Sequence, residues 1–391
     1  MPSPTRFNRI DVDKDITAAQ LDLSVENSSV LSRAGAQQIV VGDTGDADDI
    51  TDACRELTSG GTVLLTGARY VGNIPATVLD GVTLHGAGGT FNNINDAISG
   101  KDDTIGTVIE HDPSASGDGA VYWDGGEDAD GPLRAVFEPQ AVNVTFDGAD
   151  AGHAFAAPMF NSHFQRCQFR NEGSGFRALW RQGTANDSVD NNSTYKCVFR
   201  SGSGDGLVSG LSESQFKSAG AQFDVNPFIG GRPGHAAFYR GDNCHLIAPQ
   251  IFNCGTDGAS AQVRFNGPKA RLIGGQIDST ATDVVGCRVF GGAEQFGHQF
   301  LGVTFNDEAA IHLELDNGSD GIEGVRVAYC NFFSGLSSGA GDSDRGIVAV
   351  ENGNTFGECR LTENTFRGTY TTATTDLDAG ANVTEVNSIV L

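Results

Sequence analysis

Short stretches of alternating apolar and polar residues recur along the chain, and each ends in a large apolar residue that a polar turn follows. Residues 142–146, 166–169 and 329–332 are clear copies. Alternation with a period of two predicts half-buried β-strands. We call the last apolar residue of each copy its anchor, and the nine anchors are Phe146, Phe169, Phe199, Phe223, Ile251, Ile277, Phe305, Phe332 and Phe366.

The spacing of the anchors predicts a solenoid. They lie 23 to 34 residues apart, about the length of chain that one coil of a three-sided β-helix needs. A single strand of this kind cannot bury its apolar face alone, so successive coils must stack. We therefore predict an all-β fold, a right-handed, single-stranded parallel β-helix over residues 45–375.

Alternation also predicts which side chains point inward. The residue two positions before each anchor shares its face, and this set includes Cys167, Cys197 and Cys330. A small apolar thiol packs well in such a column, so buried free thiols are predicted, with a disulfide framework among the eight cysteines as the alternative. Pro249 falls in the same column and marks an irregular or misaligned copy, because proline donates no ladder hydrogen bond.

The outward positions of the repeat carry few acids. The residue before each anchor is mostly an amide or hydroxyl, and three positions before the anchors Glu363 is the single carboxylate. A glycoside hydrolase needs two carboxylates ~5–9.5 Å apart. This face therefore predicts no catalytic pair.

A capping region precedes the repeats. Ile50, Ala53, Cys54 and Leu57 recur at helical spacing after acidic residues and before Gly60, which predicts a short amphipathic helix. Strands are predicted at residues 61–65, 68–71, 82–86 and 107–110. A helix at the open end of a solenoid would cover apolar surface and strand edges.

Residues 48–88 resemble the opening of pectate-lyase-like β-helices, including tailspikes of tailed viruses. The shared pattern is an Asp-rich helix, Gly-Gly-x-Val-x-Leu, Gly-x-Tyr and x-Val-x-Leu-x-Gly, with Thr66 where proline is common. The resemblance implies a β-helix over about residues 45–370, a trimeric assembly and an N-terminal part that attaches to the virus particle. The catalytic signatures of this superfamily do not occur here, because Arg-Ile-Lys and Gly-His-Gly are missing.

The ends of the chain fall outside the repeat. Residues 1–44 are predicted to form a small β segment for attachment or oligomerisation, from the patterns at residues 7–10 and 21–25, with a flexible tag as the alternative. Residues 376–391 are predicted to form a C-terminal strand or cap. No apolar signal region or membrane-length apolar run occurs, so we expect no membrane insertion. Either a signal was removed, or the protein leaves its cell by another route, such as within a virus particle.

Charge narrows the choice of partners. Asp and Glu total 50 against 25 Lys and Arg, for a formal net charge of −25. Such a field repels nucleic acid and anionic membranes. The acidic, Lys-poor composition is similar to that of proteins from extreme halophiles, in which salt screens the self-repulsion. An ordinary acidic secreted protein is the alternative.

Two groups of residues are candidates for chemistry. Acids collect in turns after the anchors, where they would form a hydrolytic pair or a divalent-cation site, or simply bond turn backbone; they are Asp147, Asp150, Glu172, Asp224, Asp278, Asp307 and Glu308. Aromatic and polar groups mix in three segments, whose candidate glycan contacts are Trp123, Asp124, Trp180, Arg181, Tyr239, Arg240 and Asp242. A place in the core or at a subunit interface is the alternative. No cofactor and no dedicated metal site are predicted.

The sequence favours a structural and adhesive virion protein, namely a tail spike, tail fibre or capsid decoration of a tailed virus of halophilic archaea. It would form a homo-oligomer, a trimer by resemblance. Its N-terminal segment would contact other virion proteins, and its β-helix would bind a host surface glycan or glycoprotein. One alternative is a polysaccharide lyase or glycoside hydrolase of the same fold, and another is a cellular surface protein of a halophile.

Overall fold

The fold was analysed in a computed structural model. It describes residues 37–42, 47–87, 106–125, 135–182, 191–210, 222–255, 261–279, 284–290, 295–307, 310–316, 322–335, 343–350, 357–377 and 383–391. Through these ranges the chain winds as a right-handed parallel β-helix with three long parallel sheets. The predicted fold class is therefore confirmed.

Each complete coil contributes one strand to each sheet, in the order sheet 1, sheet 2, sheet 3. Sheet 1 comprises Gln37–Val41, Gly61–Leu65, Val82–Gly86, Gln140–Val142, His163–Gln165, Asn192–Tyr195, Gln222–Val225, Cys244–Ile247, Arg271–Ile273, Gln299–Leu301, Val325–Ala328, Cys359–Thr362 and Val383–Val386. Sheet 2 comprises Arg69–Val71, Thr107–Glu110, Val144–Asp147, Gln168–Arg170, Val198–Arg200, Phe228–Arg232, Gln250–Cys254, Gln276–Ser279, Thr304–Asp307, Asn331–Ser334, Thr365–Gly368 and Ile389–Val390. Sheet 3 comprises Ile74–Pro75, Gly119–Tyr122, His153–Ala157, Arg177–Arg181, Asp205–Ser209, Ala237–Tyr239, Val263–Phe265, Val285–Phe290, Ile311–Asp316, Ser343–Val350 and Tyr370–Leu377. Two short parallel pairs complete the strands, Val136–Phe137 with Met159–Phe160 and Gln295–Phe296 with Ile322–Glu323.

The predicted capping helix is present as α1, Ala47–Glu56. It lies against the first coil, in contact with Gln37–Val41 and with the 3-10 turn Ala76–Leu79. Ile50 and Leu57 are buried in the same apolar core as the strands. The helix thus closes the N-terminal end of the stack. No helix in the described ranges is long and apolar enough to cross a membrane.

A short bend joins sheet 1 to sheet 2 in every coil from Gln140 onward; it is one residue long, Asn143, in the first of these coils and two residues long in the later ones. The first residue of each bend has a positive φ, between 49° and 65°. These bend residues are Asn143, Arg166, Lys196, Asn226, Ala248, Gly274, Gly302, Tyr329, Glu363 and Asn387. Because nothing is inserted at the bend, the sheet 1 strand keeps a constant register with the sheet 2 strand that follows it.

Large apolar side chains stack along the interior face of sheet 2. Phe146, Phe169 and Phe199 form one run, with ring centroids 5.4 and 5.1 Å apart and nearly parallel planes. Phe305 and Phe332 begin a second run, with centroids 5.0 Å apart. All five rings are fully buried. The aromatic anchors therefore form the predicted interior column, in which burying one such side chain stabilises the fold by roughly 1.5–3 kcal/mol.

One predicted anchor was wrong. Phe223 lies in sheet 1, pairs with Ser193 and His245, and faces outward with its ring against His245. The residue in register with Phe199 is Ile229. Alternation identified a strand at 222–225 but assigned it to the wrong sheet, and that error exchanged its inward and outward faces.

The described cysteines behave as packing residues. All eight are buried and free, so the predicted buried thiols are confirmed. Cys167 and Cys330 lie in the predicted interior column, and burial raises the pKa of the Cys330 thiol to about 11. In its coil, Asn364 occupies the column position that Cys167 and Cys330 hold in theirs. Its side-chain amide hydrogen-bonds to the backbone, accepting from Cys330 N and donating to Val327 O.

The solenoid extends beyond the predicted boundaries. Gln37–Val41 pairs in parallel with Gly61–Leu65, so the first strand of sheet 1 lies inside the predicted segment 1–44. Val383–Val386 and Ile389–Val390 continue sheets 1 and 2, so the predicted C-terminal strand region is a further partial coil. The predicted β patterns at residues 7–10 and 21–25 lie outside the described residues.

Candidate functional site

Two of the candidate glycan contacts form a polar network inside the solenoid. Arg181 projects inward from sheet 3 and Asp224 projects inward from sheet 1, and both side chains are fully buried. The guanidinium donates from Nη1 and Nη2 to the two carboxylate oxygens at 3.0 and 2.8 Å. Tyr239 Oη and Thr194 Oγ1 donate to the same carboxylate at 2.8 and 2.7 Å. Buried charges are tolerated when they are paired and hydrogen-bonded in this way.

Arg240 is buried as well. Its guanidinium carbon lies 4.2 Å from the centre of the Phe238 ring, a cation–π arrangement. Arg181, Tyr239 and Arg240 therefore offer no surface to a glycan, and their predicted role as contacts is corrected: Arg181 and Tyr239 lie in the interior, and Arg240 is buried against Phe238. The register explains the position of Arg181, because Trp180 and Arg181 are consecutive in a strand and must face opposite sides.

Trp123 and Asp124 lie at the end of a sheet 3 strand near the capping end. Trp123 is half-buried against the core. Asp124 is exposed, and its carboxylate accepts from Thr77 N at 3.1 Å and from Thr77 Oγ1 at 2.6 Å. Asp124 thus ties the 3-10 turn to the next coil, while its exposure leaves a glycan contact as a prediction.

Trp180 belongs to a half-buried cluster on the outer face of sheet 3. Its indole nitrogen donates to Gly210 O at 3.0 Å, and the Arg177 guanidinium lies 4.3 Å from its ring centre. His153 packs beside it at 5.2 Å, and burial lowers the pKa of His153 to about 4. Asp242 is half-buried in the turn before the next sheet 1 strand, apart from this cluster. The contact roles of Trp180 and Asp242 also remain predictions.

Three of the predicted turn acids serve ion pairs with arginine. Asp224 pairs with Arg181 as described, and Asp147 accepts from Arg170 Nε at 2.7 Å. Glu172 pairs with Arg232 in the interior, where burial raises the pKa of Glu172 although Arg232 acts in the opposite direction. These acids are therefore not brought together as a hydrolytic pair.

The remaining turn acids form no evident centre. Asp150 is exposed, Asp278 is half-buried, and the side chains of Asp307 and Glu308 lie outside the described residues. Among the described residues, no group of three His, Cys, Asp or Glu side chains could hold a metal ion.

The outer face of sheet 1 carries a column that sequence reasoning missed. Its members are in register on consecutive strands, six residues before the corresponding interior residue of sheet 2. In chain order they are Gln140, His163, Ser193, Phe223, His245, Arg271, Gln299, Arg326, Arg360 and Thr384. Counting six residues back from Phe332 and Phe366 would have found Arg326 and Arg360, because the bend between the sheets has a fixed length.

A depression with a volume of about 460 Å³ lies over the last coils of this column. Small-molecule sites commonly have volumes of roughly 300–1,000 Å³. Arg326, Arg360, Glu358 and Tyr329 line it, together with Gly324, Val325 and Thr362. Neither guanidinium forms an ion pair with any side chain in the described ranges. Tyr329, at the bend, is 54% exposed. This is the candidate site, which we call the arginine pocket.

Known proteins with this architecture include virus tailspikes and bacterial epimerases. The tailspike protein of Escherichia coli bacteriophage HK620, solved as a double mutant, aligns with a TM-score of 0.50 and 11% identity over 93% of this chain and 68% of its own. Bacteriophage CBA120 tailspike protein 3 aligns with a TM-score of 0.49 and 13% identity over 92% of this chain. This chain spans 58% of that tailspike's length.

The A-module of the Azotobacter vinelandii mannuronan C-5 epimerase AlgE4 aligns with a TM-score of 0.47 and 14% identity, over 90% of this chain and 97% of the module. No protein-family model and no curated protein matches the chain. At these identities the likeness concerns the fold: the chain is a parallel β-helix of the kind found in tailspikes.

Proposed function

We propose that this chain is the adhesive β-helix of a virus particle. It would be a tail spike, tail fibre or capsid decoration of a tailed virus of halophilic archaea, and it would bind a host surface glycan or glycoprotein. The observation that carries the proposal is the arginine pocket. In a chain with twice as many acids as bases, two exposed guanidiniums without a described carboxylate partner lie beside an exposed tyrosine.

Other features support the same proposal. The likeness to the HK620 tailspike supports the architecture, and a net charge of −25 suits a surface that works in high salt. The proposal includes assembly into a homotrimer and attachment of the N-terminal segment, predicted as residues 1–44, to other virion proteins. It also includes glycan contacts by Trp123, Asp124, Trp180 and Asp242.

The experiment that tests the proposal is a mixture of the protein with host envelope polysaccharide in high salt, followed by size-exclusion chromatography. We expect the polysaccharide to keep its length and to co-elute with the protein. Polysaccharide that elutes alone and intact would reject adhesion.

A depolymerase is the second candidate, and the arginine pocket is also the observation that favours it. A lyase that acts on an acidic sugar needs a cationic group to neutralise the carboxylate and a base to remove the neighbouring proton. Arg326 and Arg360 could supply the first, and Tyr329 or Glu358 the second. Shortened polysaccharide with new unsaturated ends in the same experiment would establish this activity. The pocket fits a hydrolase less well, because a hydrolase needs two carboxylates and Glu358 is the single carboxylate among the described lining residues.

A further inference from the structure

We propose that the arginine pocket binds one acidic sugar unit within an otherwise neutral polysaccharide. Arg326 and Arg360 would grip the carboxylate or sulfate of that unit, Tyr329 would pack on the sugar ring, and Glu358 would accept hydrogen bonds from its hydroxyls. The inference rests on the proposed function for the ligand being a glycan, and it adds the chemical class of that glycan and the residues that select it.

Arg326 and Arg360 form the anion-binding part of the proposed site. Arg326 and Arg360 are direct neighbours on adjacent parallel strands, and both are exposed. Like charges placed opposite each other destabilise a sheet, and a bound anion removes that repulsion. Two planar guanidiniums match the paired oxygens of a carboxylate or sulfate, each through a bidentate fork.

Most arginines with a described role are used differently. Seven of them lie within ion-pair distance of a carboxylate: Arg55, Arg69, Arg170, Arg181, Arg232, Arg288 and Arg345. In a chain with 50 Asp and Glu residues, a carboxylate partner for Arg326 or Arg360 could readily be present, yet neither forms such a pair in the described ranges. The pairing of Arg326 with Arg360 therefore points to an anion from outside the chain.

Tyr329 forms the part of the proposed site that packs on the sugar ring. It occupies the bend with φ 58°, a conformation that bulky residues seldom adopt, and its ring is largely exposed. The bend fixes the backbone of Tyr329 directly beside the pocket. An amphipathic aromatic side chain of this kind presents an apolar face for a sugar ring and a hydroxyl for its polar edge.

The acids around the pocket favour a ligand of low charge density. Glu358 lines the pocket, and the exposed Glu323 and Glu363 adjoin the lining residues Gly324 and Thr362 in the chain. A polymer with an acid on every sugar would meet these carboxylates as well as the arginines. A neutral chain with sparse acids would place a single anion between the guanidiniums and leave uncharged hydroxyls near Glu358.

The test uses the full chain and three polymers at about 0.15 M salt, where the Debye length is about 8 Å. The polymers are glucuronoxylan, which carries sparse carboxylates, the same glucuronoxylan after carboxyl reduction, and polygalacturonate. We expect glucuronoxylan to bind, carboxyl reduction to weaken binding at least tenfold, and polygalacturonate to bind more weakly for each carboxylate. Equal binding of the reduced polymer would overturn the inference.

Variants separate the pocket from general charge. R326Q/R360Q should lose at least tenfold in affinity for glucuronoxylan, and R326K/R360K, which keeps the charge without the fork, should recover part of it. R55Q/R166Q removes the same charge from exposed sites elsewhere and should bind like the wild type. An unchanged R326Q/R360Q, or an equal loss in R55Q/R166Q, would reject the pocket. All of these residues are exposed, and unfolding midpoints check that each variant is folded.

The proposed function and this inference can fail separately. If wild type and R326Q/R360Q co-elute equally with host polysaccharide, adhesion stands and the pocket is rejected as its site. If neither host polysaccharide nor glucuronoxylan is bound, both proposals fall. Binding of glucuronoxylan through the arginines without any binding of host polysaccharide would keep the site and reject the adhesive role.

Discussion

Arg181 and Asp224 meet inside the solenoid in a bidentate ion pair, although 43 residues separate them in the chain. Arg181 comes from sheet 3 and Asp224 from sheet 1 of a later coil. The contact spans the interior, which aliphatic and aromatic side chains fill for the most part. Tyr239 and Thr194 donate two further hydrogen bonds to the Asp224 carboxylate.

Replacing Asp224 with Ala should destabilise the protein by about 3–5 kcal/mol, because it leaves the Arg181 charge buried without a partner. Urea unfolding followed by circular dichroism measures the change. Asp52→Ala is the matched control: its pair with Arg55 is exposed, and its loss should cost about 0.5 kcal/mol or less. The double variant R181M/D224L should recover much of the loss, since an apolar pair can replace a buried ion pair. A loss for Asp224→Ala as small as the control would mean that water reaches the pair.

Phe332→Ala should cost about 3–5 kcal/mol, because the ring is fully buried in the aromatic stack of sheet 2 and the stack cannot collapse around the gap. Phe223→Ala, which changes an outward ring, should cost about 1 kcal/mol or less. Equilibrium unfolding of the two variants in parallel checks the register. Equal losses of unfolding free energy in the two variants would indicate that Phe223 lies in the interior.

The thiols should be unreactive in the folded protein. Burial raises the pKa of Cys254 to about 11 and that of Cys359 to about 12, so at pH 8 little thiolate forms and none is accessible. In an Ellman assay, we expect almost no reaction with native protein and eight thiols for each chain after denaturation. Fewer than eight in denaturant would reveal disulfides, and rapid reaction of native protein would reveal an open coil.

Acid should weaken the fold through His298. This side chain is fully buried, neither ring nitrogen has a described hydrogen-bond partner, and burial lowers its pKa to about 3. The unfolded chain, with an ordinary histidine pKa of about 6.5, binds the proton first. The stability of the neutral ring is therefore complete above pH 6.5 and is lost as the pH falls toward 3.

His298→Gln should remove this share of the pH dependence. Between pH 7 and pH 5 the wild type should lose about 2 kcal/mol more than the variant, measured by urea unfolding at both pH values. The comparison cancels the other titrating groups. Parallel pH profiles would contradict the assignment.

Salt should raise the stability of the whole chain. Self-repulsion from a net charge of −25 acts against the compact state, and the Debye length falls from about 10 Å at 0.1 M salt to about 3 Å at 1 M. We expect the thermal midpoint to rise between 0.1 and 3 M NaCl, and to rise further than in an equally concentrated sugar osmolyte. A midpoint that salt leaves unchanged would speak against a halophilic origin.

The sequence predicted the solenoid well because one contact repeats in every coil. Phe169, Phe305 and Phe332 mark the same interior position, and a period of two fixes the faces of each strand around them. The prediction failed at Phe223, where an outward aromatic imitates an anchor and the true interior residue is Ile229. Alternation specifies a strand, but it does not specify the sheet to which that strand belongs.

The site was harder to predict for a related reason. Arg181 and Tyr239 look like surface residues next to Trp180 and Arg240, and only the partner Asp224, from a distant part of the sequence, makes them interior. Arg326 and Arg360 both lie six residues before their anchors, yet that spacing has meaning only once the bend between the two sheets is known to be short and of equal length in both coils. Long-range pairing and bend geometry were the missing information.

The bend between sheets 1 and 2 accepts very different side chains on one backbone conformation. Asparagine, arginine, lysine, alanine, glycine, glutamate and tyrosine all occur there, at a cost of roughly 1–2 kcal/mol where a side chain is present. These side chains do not fill the interior, so exchanging them leaves the core intact. The corner of the solenoid is thus a row of interchangeable positions, at which natural variation can alter the outer surface of the protein without redesigning how it folds.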